Sequence, residues 1–237
     1  MQTSLTDAPA RATFLNVVRQ PRSYINLFYL FLAFPLGTMY FVLLVTGLSV
    51  GLSTLIIWIG VPILGLMGLA SWGLTAMERE MAIHWLGIAV PPMSTRVLPE
   101  NANLWTRTKS YLGNPTLWKG LVYLFVKFPF GIFSFTLVVT LVSLSFGLAL
   151  EPLVYLVSTS LYHAFGWGGN DYTLSLFTGE LISINGTFDW ANFLKLLTET
   201  PLGLALGLLS LHVMNGVAWL WGQFARLMLG TPSQSVA

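Results

Sequence analysis

The chain contains no cysteine and very few charged residues. Without cysteine, disulfides, thiolate nucleophiles and cysteine metal sites are excluded. Only 8% of the 237 residues are charged, whereas a soluble domain carries about 25%. In addition, 55% of the residues are hydrophobic and the mean hydropathy is +0.73. This composition predicts an integral membrane protein.

Four apolar runs are long enough to cross a bilayer as helices, which takes about 20 residues. They are residues 24–50, 53–76, 117–144 and 202–221. No short apolar core with a small-residue cleavage site precedes the first run, so we expect no secretory signal peptide and an insertion signal in the first span. The short uncharged turn around residues 47–53 predicts that the first two spans form an antiparallel hairpin.

One spanning segment occurs twice in the chain. Residues 29–49 and 123–143 align without a gap at an offset of 94, with 11 of 21 positions identical. Both copies contain a Phe-Pro-x-Gly segment, which places Pro35 and Gly37 in the first copy and Pro129 and Gly131 in the second. A proline inside a span removes a backbone hydrogen bond and bends the helix, and a glycine lets two helices approach closely. This segment has two interpretations, a static packing site and a hinge that transmits motion.

Lysine and arginine are distributed unevenly around these spans. Ten of the 11 basic residues lie before the first span, between the second and third, near the start of the third, or after the fourth. Only Lys195 lies in the connection 150–200, which carries five acidic residues. Because cytoplasmic loops are rich in lysine and arginine, we predict a multi-pass protein of the bacterial inner membrane with both termini cytoplasmic. The two hairpins would then form a parallel repeat.

The predicted fold class is therefore an all-α integral membrane protein. Four transmembrane helices form two parallel-repeat hairpins, with amphipathic cytoplasmic surface helices and a small extracytoplasmic insert. The predicted segments are an N-terminal cytoplasmic segment (1–23), the first hairpin (24–76), a cytoplasmic amphipathic connection (77–116), the third transmembrane helix (117–149), the extracytoplasmic insert (150–200), the fourth transmembrane helix (201–230) and a cytoplasmic tail (231–237).

The insert has some predicted structure of its own. Residues 153–165 are apolar but short, which indicates an interfacial or partly buried helix. A turn-rich break at residues 166–170 follows. Two short runs, 172–177 and 181–184, could pair as a hairpin, and residues 188–198 have the pattern of a short amphipathic helix.

Two charged positions lie in or beside the spans. Lys127 replaces Ala33 of the first copy, and a charge inside a span is costly. Its long side chain is expected to reach the cytoplasmic surface, with pairing or contact to a lipid headgroup as the alternative. Glu78 and Arg79 follow the second span, where a solvated helix face or a docking surface for a partner is preferred, because the two-histidine motif of a zinc protease is absent.

The remaining candidates are a histidine in the fourth span and acidic residues in the insert. His212 has Asn215 on nearly the same face and could ligate haem or a chlorophyll magnesium. The alternative is a hydrogen bond to a neighbouring helix. Asp171, Glu180 and Asp189 could bind a cation or a basic ligand, but they lack calcium-loop spacing, so a wetted acidic surface is preferred. No metal site is predicted, and no cofactor other than haem or chlorophyll at His212.

The order of these motifs resembles the "Putative sensor" domain family of bacterial membrane proteins, which often forms the input half of histidine kinases. The resemblance covers roughly residues 24–230 and is carried by FPLG at 34–37, Glu78-Arg79, NPTLW at 114–118, FPFG at 128–131 and Ser134-Phe135. It implies a four-helix membrane domain with an external segment. We expect this chain to act without a kinase domain of its own.

These observations lead to two hypotheses for the function. The first is a non-catalytic, sensor-like membrane module that perceives an envelope or extracytoplasmic signal and acts through a partner protein. The alternative is a structural accessory subunit of a larger respiratory or photosynthetic membrane complex. Membrane lipids and another membrane or signalling protein are the expected partners. The chain has no basic aromatic patch for nucleic acid, and neither a phosphate loop nor a catalytic triad motif, so we expect no enzyme activity.

Overall fold

The computed structural model describes residues 14–91, 113, 115–166, 171–175, 179, 181–184 and 187–230. The α-helices are α1 (Pro21–Ser53), α2 (Gly60–His84), α3 (Pro115–Phe165), α4 (Trp190–Leu197) and α5 (Thr200–Leu229). Short 3-10 helices occupy Phe14–Arg19 and Thr54–Ile57, and two strands, β1 (Asp171–Leu174) and β2 (Leu181–Ile184), lie between α3 and α4.

Within these described residues, four helical segments are long and apolar enough to cross a membrane. They are Pro21–Ile57, Gly60–His84, Pro115–Phe165 and Trp190–Leu229. Only 17–22% of the residues in their most apolar windows are buried inside the protein, so most of this apolar surface faces outward. Such a surface is suited to lipid rather than water. The prediction of four membrane-spanning helices is confirmed in this sense.

The turn between the first two spans lies later than the sequence predicted. α1 continues through the predicted turn to Ser53, and the connection that follows contains Trp58, which has a φ of 62°. α2 begins at Gly60, where an added Cβ atom would overlap the carbonyl oxygen of Gly51. The second span therefore covers residues 60–84 and not 53–76. A glycine fits at its start because the returning chain contacts the backbone of α1 there.

The described residues form two compact units. The bundle unit comprises the described parts of Gln20–Leu137 and Met214–Ala237, and the hairpin unit comprises Phe14–Arg19 and Val138–Val213. The helices α3 and α5 each contribute one part to each unit. The bundle unit contains the polar residues of greatest interest here.

In the bundle unit, α1 and α2 pack antiparallel. The side chain of Leu64 fills the space beside Gly51, the side chain of Met67 fills the space beside Gly47, and Tyr40 reaches Glu78 further along. Early residues of α2 thus meet late residues of α1. The small residues on α1 allow this close contact in the way that is usual for membrane helices.

The two repeated segments cross each other through their glycines. A Cβ atom at Gly37 would lie 2.6 Å from the carbonyl oxygen of Lys127, and one at Gly131 would lie 2.5 Å from the carbonyl oxygen of Ala33. Since Lys127 and Ala33 are equivalent positions at the offset of 94, the two contacts are the same contact made twice. The structure therefore uses both glycines for close helix packing.

The sense of this crossing is antiparallel, and the predicted parallel repeat is wrong for these helices. The rings of Phe31 and Phe135 lie 5.1 Å apart, and those of Phe41 and Phe125 lie 5.3 Å apart. Ten residues of helix span about 15 Å, so an early residue of one helix can meet a late residue of the other at both ends only if the helices run oppositely. An alignment of two copies shows which residues are equivalent, but not the direction of the axis that relates them.

In the hairpin unit, α3 continues without interruption to Phe165. The separate interfacial helix predicted at residues 153–165 is therefore wrong, and the predicted boundary at 149/150 falls inside a helix. The continuous helix carries Tyr155, which packs with Ile182, Ile184 and Leu196 in one buried cluster. Burial of this aromatic ring against the strands gives the end of the long helix an apolar contact.

The strands and the short helix match the sequence prediction. β1 and β2 pair antiparallel with Asp171 opposite Ile184 and Leu174 opposite Leu181. α4 follows as the predicted amphipathic helix, and the side chain of Asp189 caps it by accepting a hydrogen bond from the backbone N–H of Ala191. The insert thus contains a small hairpin, so the fold is not entirely helical.

The predicted cytoplasmic connection is described only in part. α2 extends to His84, after which residues 85–91 are irregular and Leu86 and Val90 are buried. The first eight residues of the predicted connection thus continue α2. Residues 92–112 and 114 of the connection lie outside the described residues, and the predicted surface helices stay a prediction.

Candidate functional site

A buried ion pair lies in the bundle unit. The Nζ atom of Lys127 on α3 is 2.9 Å from Oε2 of Glu78 on α2, and both side chains are completely buried. Taking two charges out of water is unfavourable unless further hydrogen bonds satisfy them. The groups around this pair therefore determine whether it is stable.

The carboxylate of Glu78 is satisfied on both oxygens. Tyr40 on α1 donates its hydroxyl to Oε1 at 2.9 Å, and Tyr123 on α3 donates to Oε2 at 3.0 Å. Hydrogen bonds to an ionised acceptor are stronger than those between neutral groups. With Lys127, the carboxylate thus has three donors from two neighbouring helices.

The ammonium group of Lys127 is held from the other side by α1. It donates to the hydroxyl of Tyr29 at 2.6 Å and lies 4.3 Å from the centre of that ring. It also lies 5.4 Å from the ring centre of Trp221 on α5. Aromatic rings attract a cation through their negative face, so Lys127 has favourable neighbours of two kinds.

Trp221 connects the fourth long helix to this group. Its indole N–H donates to the hydroxyl of Tyr123 at 3.0 Å, and its ring stacks on Phe130 with centroids 3.7 Å apart. The polar network of six residues therefore joins α1, α2, α3 and α5. Its members are Tyr29, Tyr40, Glu78, Tyr123, Lys127 and Trp221.

Helical spacing explains how these residues come together. Tyr123 and Lys127 are four residues apart and lie on one face of α3. On α1, Tyr29, Ala33, Gly37 and Tyr40 are separated by three or four residues and are all buried. The close approach at Gly37 and Gly131 brings these two faces together, and α2 adds Glu78 beside them.

The sequence had identified two members of the network but not their relationship. Lys127 does not extend to the surface, so the expected surface position is wrong and the alternative, pairing, is found. Glu78 is completely buried, so its predicted solvated face is wrong. Each residue neutralises the buried charge of the other, although the two lie 49 positions apart in the chain.

The four aromatic members were not anticipated. The duplication carried a usable signal, because Tyr29 and Tyr123 are the same position in the two copies. Both hydroxyl groups face the ion pair. An identical polar residue in two copies of an apolar segment can therefore indicate a shared buried polar site.

Other predicted site residues have separate local partners. Arg79 donates to the carbonyl oxygens of Val90 and Pro91 and pairs with the exposed Glu80. Asn215 accepts a hydrogen bond from Asn26 and donates one to Ser23. These contacts tie Arg79 to the segment after α2, and Asn215 to the start of α1.

His212 and Asp189, the two of these candidates whose side chains are described, have separate local partners. The ring of His212 is hydrogen-bonded to the carbonyl oxygen of Leu208 in its own helix at 2.8 Å. Asp189 caps α4, the side chain of Asp171 is not described, and Glu180 lies outside the described residues. In the part of the chain that is described, no three histidine or acidic residues cluster as metal ligands.

Pro35 lies inside α1, and Pro129 lies inside α3. Both copies of the Phe-Pro-x-Gly segment occur at the crossing where Gly37 and Gly131 meet the opposite backbone. A packing function of the two glycines is thus visible. The hinge hypothesis for the two prolines stays a prediction.

The described fold defines a class of protein: a helical membrane protein with a buried ionic centre shared by four long helices. A comparison with protein-family models matches the family described as "Putative sensor" over residues 29–229. The chain belongs to this family, as its sequence motifs suggested. Searches of curated proteins and of solved structures found no significant match.

Proposed function

We propose that this protein is a non-catalytic sensor module of the bacterial inner membrane that acts through a partner protein. The observation that carries the proposal is the buried network around Glu78 and Lys127, which joins four helices through a single ion pair. Family membership supports a sensing function. The network supports a specific way of transmitting a signal between helices.

An ion pair in apolar surroundings favours discrete helix arrangements. When one partner moves away, a buried charge is left without compensation, which costs several kcal/mol. Small displacements are therefore resisted, and a larger displacement requires a new set of partners. Two-state elements of this kind convert a local event into a change of global state.

The input of the proposed sensor is the insert at residues 166–189, and the output is the surface near the end of α2. Since α3 runs opposite to α1, the parallel repeat no longer supports an extracytoplasmic position of this insert, and the proposed input does not depend on one. Glu80 and His84 are exposed there and can contact a partner. The hydrogen bond from Arg22 to the carbonyl oxygen of Leu86 joins the start of α1 to the segment after α2. Since Arg22 and Arg79 lie at this end of the bundle unit, it is the proposed cytoplasmic end.

Variants of the network test this function in the native host. We would compare the transcriptional response to envelope stress in strains carrying Glu78→Gln, Lys127→Met or Lys119→Gln with that of a deletion strain. The two network variants should hold the output in one state, whereas Lys119→Gln, at an exposed residue outside the network and the output surface, should respond like the wild type. A deletion strain with an unchanged response would refute the sensing function.

A second experiment tests the input. Removal of residues 166–189 should abolish the response while leaving the protein in the membrane. If this deletion variant still responds, the insert is not the input. Stable co-migration of the protein with a large respiratory or photosynthetic complex in mild detergent would instead favour the structural subunit considered from the sequence.

A further inference from the structure

A polar cleft opens in the bundle unit beside the start of α1. Its volume is about 480 Å³, and its lining comes from α1, from the segment after α2, and from the last part of α5. It is distinct from the buried network, since none of the six network residues lines it. The cleft therefore calls for a separate explanation.

The charge of the lining has one sign. Arg22 and Arg226 both line the cleft, and none of its lining residues is acidic. Among the described residues, neither arginine forms an ion pair; Arg22 donates to the carbonyl oxygen of Leu86, and the Arg226 side chain has no hydrogen-bond partner. A cleft with two uncompensated guanidinium groups is suited to an anion, and guanidinium groups match the geometry of phosphate oxygens.

The lining also contains an unused acceptor. Asn26 is 8% exposed, and its Oδ1 atom is buried without a hydrogen-bond partner among the described residues. Its Nδ2 atom is already used by Asn215. A buried acceptor without a donor is unfavourable, so a ligand that carries a hydroxyl or ammonium group next to its anionic group would satisfy this atom.

The lining also includes an exposed aromatic residue with an exposed apolar neighbour. Trp219 lines the cleft and is 61% exposed, and the neighbouring Leu220 on α5 is 64% exposed. In a membrane protein, a tryptophan of this kind suits the depth of the lipid headgroups. An occupant with an anionic head and an apolar tail could therefore place each part against a matching surface.

We propose that this cleft binds a phosphate group, and that the phosphodiester headgroup of an anionic membrane lipid is its occupant. Arg22 and Arg226 contact the phosphate, and the Oδ1 atom of Asn26 accepts a hydrogen bond from the headgroup. Basic pockets between membrane helices are known sites for anionic headgroups. The proposal rests on the cleft alone and does not depend on the signalling function.

Native mass spectrometry of the full chain in detergent tests the proposal. Three probes are added separately: phosphatidylglycerol, phosphatidylcholine and inorganic phosphate. We expect retention of one phosphatidylglycerol molecule and little phosphatidylcholine. Retention of inorganic phosphate alone would contradict the lipid as occupant, and retention of neither anion would refute the site.

The decisive variant is Arg226→Gln, because the Arg226 side chain makes no hydrogen bond or ion pair with the described residues and its loss should leave the fold intact. We expect phosphatidylglycerol to bind about tenfold more weakly, as for the loss of one charge-assisted hydrogen bond. Lys119→Gln is the matched control, since Lys119 is exposed and does not line the cleft. Equal affinities of the Arg226 variant and the wild type would overturn the assignment.

Discussion

The buried ion pair leads to a specific expectation for stability. Lys127→Met keeps the length of the side chain but leaves the carboxylate of Glu78 buried with only two phenol donors. Glu78→Gln leaves the ammonium of Lys127 buried without an anionic partner. Each single change should lower the free energy of unfolding by about 3–5 kcal/mol, as found when one partner of a buried pair is removed.

The double variant Glu78→Gln/Lys127→Met should be more stable than either single variant. It removes both charges together, and the glutamine oxygen can still accept the hydrogen bond from Tyr40. Replacing both members of a buried pair is often close to neutral. We therefore expect its loss to be at least about 2 kcal/mol smaller than the sum of the two single losses, because contacting residues are not additive.

The measurement is an equilibrium titration of the purified protein from mild detergent into sodium dodecyl sulfate, followed by circular dichroism. Glu80→Gln is the matched control, since Glu80 is two residues from Glu78 but its side chain is 56% exposed in its pair with Arg79. An exposed pair contributes about 1 kcal/mol or less. Additive losses in the double variant, or single variants no worse than the control, would refute the buried pair.

Three further expectations concern packing, capping and orientation. Gly37→Ala should destabilise the protein by about 1–3 kcal/mol in the same titration, because the added Cβ would overlap the backbone of α3, whereas Gly65→Ala, which has open space, should be neutral or slightly stabilising. Asp189→Ala should cost about 1 kcal/mol through loss of the helix cap, seen as faster hydrogen exchange in α4; unchanged exchange would contradict the cap. Because the chain has no cysteine, Ile56→Cys gives a single label site, which a membrane-impermeant maleimide should reach from outside intact cells; labelling only after lysis would reverse the proposed orientation.

The close helix contacts could be anticipated from the sequence only in part. The repeated glycines indicated tight packing, and the structure places Gly37 and Gly131 at a shared crossing. Their alignment did not indicate that the helices run oppositely there. The sense of packing depends on how side chains such as Phe31 and Phe41 fit their partners, and the offset of a repeat contains no information on this.

The polar site, too, could be anticipated from the sequence only in part. The sequence shows Lys127 as a charge in an apolar segment and Glu78 as one of a group of charges after a span. By itself it predicts a solvent-accessible position for both side chains, because a charged residue considered alone is expected to avoid burial. Burial becomes acceptable only with a partner and further donors, and these come from positions that are 38 to 98 residues distant.

Composition and hydropathy by themselves determined that the protein has helices long and apolar enough to span a membrane, because the bilayer requires long apolar helices whose backbone groups are satisfied internally. The tertiary structure alone decided which helix faces meet and where the turn of the first hairpin lies. It also decided that the charges of Glu78 and Lys127 neutralise each other in a network with three tyrosine hydroxyls and the indole of Trp221. Local sequence controls whether a segment can enter the membrane, whereas pairing across the bundle depends on contacts between residues that are distant in the chain.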